Sequence, residues 1–452
     1  MTAPLYDTLC TLARSDGLRM HMPGHKGKAM APLFSAAAID YTEIPPTGNL
    51  YTGEGPIAEA EALAARAWGA ERAYFLTGGS SQGILAGLAL CAAPGSTILL
   101  DRNTHKSFFS AMALLDLDPV YLEHPAAGDV ERLLLAHPEA KTVCVTSPTY
   151  YGVVADIEAI AAVCKAHGAK LLVDEAHGAH FPFVHRGPCA AGRGAAVSVS
   201  SAHKTLPALG SSALLFTDGS FSDAAVREKT ALFGTSSPSY PILASIDWAR
   251  AYLEGPGGEA YRRCARETAA LRSAINGRGV FHALTEADGL PLDPTRLTVC
   301  TACAGLNGRR AGELLEQHYN IWPEMSNRDC VVCILTCSDS SADMARLAKA
   351  LEELEAYAGA APLPPCPPPP GPETCCSSAA PRLPPGTACP WARPPAESAP
   401  YPSPPIPPAF PWWPRASGSP RRSCPTSAPS ATISTSRFLY FQRSVSHERT
   451  TK

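Results

Sequence analysis

Two residues set the possible chemistry. Asp174 directly follows the apolar run AKLLV, and Lys204 stands in VSVSSAHKTLPALG, directly after a second such run. Open α/β sheets gather their ligands beyond the carboxyl ends of their strands, so a carboxylate and an amine placed there converge on one site. A lysine amine can hold an aldehyde cofactor as a Schiff base, and an acid paired with a pyridine nitrogen keeps that nitrogen protonated. The pair therefore predicts pyridoxal 5'-phosphate (PLP), with Lys204 as the attachment point and Asp174 at the ring nitrogen. TGGSSQG at 77–83 follows an apolar run and opens a helical stretch. Gly79 permits close backbone approach, and the first free N–H groups with Ser80 and Ser81 form a cup for a phosphate dianion. It is not a P-loop, because no Gly-Lys-Ser/Thr closes it. In NTHKS at 103–107, His105 is positioned to stack its flat ring on a cofactor face.

The elements that carry these residues follow α/β grammar between about 59 and 357: short apolar runs alternate with amphipathic stretches. Strands are predicted at 73–76, 97–100, 142–145, 170–173, 197–200 and 212–216, and helices from near Ser80, Lys106, Asp156 and Pro241. The predicted organisation is an irregular N-terminal arm (1–58), a large domain with a mostly parallel sheet (59–257) and a smaller α+β domain (258–360). In the smaller domain, helices alternate with strands at 296–300 and 331–336. A chain of 452 residues easily holds that much core.

Its net charge of -3 gives no attraction to nucleic acid or to an anionic membrane, so a small molecule is the expected partner. No apolar run is long enough to span a bilayer and the polar start is unlike a signal peptide, which predicts a cytoplasmic protein. The 16 cysteines lie scattered and are expected to be reduced. His177 and His180, three apart, lack the third ligand that a zinc site needs. DEAH at 174–177 also occurs in helicases, but here it comes without a phosphate-binding P-loop or a basic charge balance.

After Ala361 the pattern collapses into Pro, Ser, Ala and Cys, a composition that forms no ordinary core and reads as disordered. Codons can be chosen for residues 404–417 whose reading one base earlier gives PYPPGIPVVAPGE. Most of that match is permitted rather than forced, but tryptophan has a single codon, so Trp412, Trp413 and Pro414 dictate its Val-Ala. The tail (361–452) is accordingly expected to be a frame-shifted reading of a C-terminal domain, slipping near the proline run that starts at Pro364.

Over roughly residues 5–360 the chain resembles the Orn/Lys/Arg decarboxylase family of fold type I PLP enzymes, whose fold is aminotransferase-like. The resemblance rests on HMPGHKG (21–27), DYTEIPPTGNLYTGEGPI (40–57), TGGSSQGILA, DRNTHKS, SPTYYGVVAD, VDEAHGAHF, SAHKTLPALG, SSPSYPILASID and WPEM (322–325). The shifted PYPPGIPVVAPGE also resembles this family's C-terminal domain. The resemblance implies that Lys204 binds the cofactor, Asp174 pairs with its ring nitrogen and His105 stacks on it. Gly79, Ser80, Ser81, His177, Ser201 and His203 would surround it. Ser236 and Ser237 would reach the phosphate of the neighbouring subunit in a homodimer.

The implied reaction is decarboxylation of lysine, arginine or ornithine to a polyamine-type product, with Lys204 or His203 returning a proton to Cα. Glu324 is the candidate for the substrate's distal cation. Two departures bear on the substrate: PTGNLYTGEG stands where many members are more acidic, and His177 stands where some have tryptophan. The alternatives are another fold type I reaction, such as amino transfer, or an inactive homologue. An aminotransferase should carry an arginine that clamps the substrate α-carboxylate, and no arginine near the small-domain strands is clearly placed for this.

Overall fold

The computed structural model describes residues 2–14, 32–184 and 186–364, so HMPGHKG and the tail from 365 onward lie outside the described residues. The segment expected to be irregular carries helix α1 (Pro4–Arg14), which buries Leu5 and Leu9, and the start of α2 (Gly55–Trp68).

Chain order then alternates strictly: β1 (Arg72–Leu76), α3 (Gly79–Cys91), β2 (Thr97–Asp101), α4 (Lys106–Leu115), β3 (Asp118–Leu122), α5 (Ala127–Ala136), β4 (Thr142–Thr146), α6 (Ile157–Ala166) and β5 (Lys170–Asp174). After these come β6 (Val197–Ser201), the short α7 (Ala202–Thr205), β7 (Ala213–Thr217), α8 (Asp223–Leu232) and α9 (Tyr240–Leu253). The large sheet has the order β1-β7-β6-β5-β4-β2-β3, with β7 antiparallel to both its neighbours. Strands β2 to β6 are parallel, so they end at one edge.

A parallel sheet must be covered on both faces, which is why its strands read as continuous apolar runs. Tyr74, Leu76, Leu172, Val197, Val199 and Leu215 pack with Ile84, Leu88 and Phe108 of α3 and α4 on one face. On the other, Phe75, Leu214 and Phe216 pack with Trp68 and Leu243, while Val143, Leu171 and Val173 pack with Ile157 and Ile160. Trp68 is fully buried, stacks on Phe216 at 5.7 Å and donates from Nε1 to the Ala179 carbonyl at 2.8 Å. Helix α3 crosses β6 so closely that a Cβ on Gly83 would lie 2.4 Å from Val199 Cγ1.

The second layer begins with α10 (Pro256–Arg278) and continues through β8 (His282–Ala283), β9 (Arg296–Cys300), α11 (Gly308–Tyr319), β10 (Met325–Ser326), β11 (Cys330–Ile334) and α12 (Ser341–Glu353). Its antiparallel sheet runs β10-β11-β9-β8 over a core of Leu271, Ile275, Leu297, Val299, Leu314, Val331 and Leu347. The loop 147–153 ties it to the large sheet: Tyr151 O accepts from Thr298 Oγ1 at 3.0 Å, and Gly152 O accepts from Asp293 N at 2.8 Å.

Candidate active site

Asp174 is the last residue of β5, and its carboxylate is buried, 4% exposed, with Oδ1 accepting from the Ala176 N–H at 3.1 Å. Burial pushes its pKa up, while the charge of Lys204 and the Ala176 N–H pull the other way. Lys204 lies one strand over, on α7 directly after β6. Burial lowers the pKa of its amine against the pull of Asp174 and Glu324, and Arg296 lowers it further. The two residues predicted from strand ends therefore act on each other's charge.

His177 completes the group, with Nε2 3.2 Å from Lys204 Nζ. Its ring is buried, packs edge-on against Tyr150 at 5.0 Å, and is held well below the ordinary histidine pKa by burial, then by Lys204 and Arg296. His180 faces elsewhere, its Nε2 3.0 Å from Asp293 Oδ1, so the two histidines share no ligand position. Among the described residues no cluster of His, Cys, Asp or Glu could hold a metal ion.

One expectation needs correcting. An arginine does stand beside the site: Arg296, the first residue of β9, is buried and brings Nη2 to 3.0 Å from His177 Nδ1. Its Nη1 donates to the Tyr150 carbonyl at 3.5 Å. Nη2 and Nη1 thus each meet one partner, while the buried Nε has none among the described residues. Sequence reasoning also missed Tyr150, whose hydroxyl donates to Glu324; the exposed Glu324 carboxylate acts in turn on the charges of Lys204 and Arg296.

His105 caps α4, with Nδ1 accepting from the Ser107 N–H at 3.3 Å. Its pKa is lowered by desolvation first and then by the charges of Lys204 and Lys106. His203 Nδ1 donates to the Ser212 carbonyl at 2.8 Å.

Helix α3 begins at Gly79, whose φ of +70° suits glycine, and no side chain caps its first turn. Ser80 is half-buried and Ser81 exposed. The buried hydroxyls of Thr77, Ser201 and Ser212 have no hydrogen-bond partner, a state that buried polar groups rarely keep. An uncapped helix terminus, unpartnered hydroxyls, a buried carboxylate and an amine together fit PLP. Ser236 and Ser237 lie exposed between α8 and α9, where the Ser237 N–H donates to Thr235 Oγ1 at 3.2 Å.

Comparison with known proteins agrees with this geometry. Among solved structures, the lysine decarboxylase of Francisella novicida superposes with a TM-score of 0.68 at 21% identity, over 78% of this chain and 60% of that one. The constitutive lysine decarboxylase of E. coli gives 0.66, over 78% and 61%. The chain thus spans about three-fifths of those structures and shares their fold, that of type I PLP enzymes. The arginine decarboxylase of Bacillus subtilis is 33% identical over 373 residues, 76% of this chain and 75% of the relative. That of Halalkalibacterium halodurans is 33% identical over 370 residues, 75% and 74%. The family profile described as "Orn/Lys/Arg decarboxylase, major domain" matches residues 3–288, the stretch that holds Asp174, His177 and Lys204. On sequence, fold and site alike, the chain belongs to the Orn/Lys/Arg decarboxylase family.

Proposed function

We propose that this chain is a PLP-dependent decarboxylase of a basic amino acid, with arginine the first substrate to test. The observation that carries this reading is the meeting of Lys204, His177 and Asp174 at one edge of β5 and β6. Arginine comes first because the relatives aligned over three-quarters of their length at 33% identity bear that name. When bound, PLP supplies an electron sink for the bond broken at the substrate Cα.

The chain's own residues do the rest. Lys204 would hold the cofactor through its amine, and burial disfavours the ammonium form of that amine. Asp174 sits where a protonated ring nitrogen would satisfy its buried charge. Gly79, Ser80, Ser81, Ser201 and His203 would hold the phosphate, and His105 would cover the ring. Lys204 Nζ or His203 Nε2 returns a proton to Cα. Glu324, held by Tyr150, receives the substrate's distal cation. In a cytoplasmic homodimer, Ser236 and Ser237 reach the neighbouring subunit's phosphate site. The tail after 361 is a frame-shifted reading of a C-terminal domain, and sequencing the native gene across the proline run tests this.

The decisive assay is CO2 release from arginine, lysine and ornithine. Release from at least one is expected; amino transfer to a 2-oxo acid without CO2 would overturn the reading.

A further inference from the structure

We infer that Arg296 is a positioning residue: it fixes the tautomer of His177 so that Nε2–H points at the nitrogen of Lys204. The inference rests on the proposed function only for the role given to Lys204. A guanidinium has donors and no acceptor, so the 3.0 Å contact from Arg296 Nη2 requires His177 Nδ1 to be the bare, accepting nitrogen. A neutral imidazole then carries its one proton on Nε2, 3.2 Å from Lys204 Nζ. Donation toward Nζ in turn requires Lys204 to be the neutral amine, the form that attacks an aldehyde.

The charges facing His177 agree. Burial disfavours a second ring proton first, the Arg296 guanidinium adds to it, and Asp293 opposes. Arg296 is itself held. A Cβ on Gly152 would lie 2.7 Å from Arg296 Cβ and Cγ, and the Tyr150 carbonyl accepts from Nη1. The small-domain sheet thereby sets a proton position in the large-domain site.

Imidazole 15N NMR on the full chain, with labelled histidines and His177 assigned through His177→Gln, reads the tautomer directly. The wild type should show His177 neutral with the proton on Nε2 throughout about pH 6 to 8. Arg296→Leu should release it into a mixture of tautomers or a titrating ring, with kcat lowered about a hundredfold and KM little changed. Arg296→Lys, which keeps the charge and a donor, should restore part of both. A proton on Nδ1 in the wild type, an unchanged tautomer in Arg296→Leu, or a KM effect alone would each overturn the inference. None of these touches the decarboxylase reading, which fails instead if the tautomer is as stated and no CO2 is released.

Discussion

His180 Nε2 lies 3.0 Å from Asp293 Oδ1, and both side chains are buried, joining the loop after β5 to the turn before β9. Burial alone would raise the Asp293 pKa, but His180, Arg296 and the Thr295 N–H outweigh it and hold the carboxyl well below its usual range. A depressed folded pKa gives stability that is full above the unfolded value of about 4 and lost as pH falls through the folded value. Thermal melts between about pH 6 and 3 should show the wild type losing Tm on the acid side, and Asp293→Ala should cost about 3 kcal/mol or more at neutral pH. An Asp293→Ala variant with the wild-type Tm at pH 6 and an equal acid slope would refute this.

Gly152 takes φ +90° and abuts Arg296 at a distance no Cβ tolerates. Gly152→Ala should therefore destabilise the chain by about 1–3 kcal/mol and lower kcat by displacing Arg296. Differential scanning calorimetry beside steady-state kinetics checks both, and a variant unchanged in Tm and kcat would remove the packing argument.

Much of this was legible because continuous apolar runs ending in a polar residue mark buried parallel strands. The strands that lead to Asp174 and Lys204 followed from that pattern within one residue of their observed ends. Strand β3 escaped because Asp118-Pro119 reads as a turn, although an edge strand tolerates proline. Helix α5 escaped because its cap, Ala126, has no capping side chain. Arg296 was hidden for a different reason. An arginine before an apolar run looks solvated, and only the approach of residues 147–153 buries it beside His177, a contact between segments over a hundred positions apart.

Glu324 accepts from Tyr150 at the exposed side of the site, within electrostatic reach of Lys204. Glu324→Gln should raise KM for the basic amino acid about tenfold, the loss of one charge contact, with a smaller change in kcat. Initial-rate kinetics on the preferred substrate would contradict this by showing KM unmoved.

Lys204, beside Asp174, is the amine that would hold the cofactor. The direct measurement is the visible absorption spectrum of the PLP-loaded chain, followed by borohydride reduction and peptide mapping. The wild type should show a visible band, Lys204→Ala should lose it, and the reduced cofactor should lie on the peptide containing Lys204. An unchanged band in Lys204→Ala, or cofactor trapped on another lysine, would contradict it.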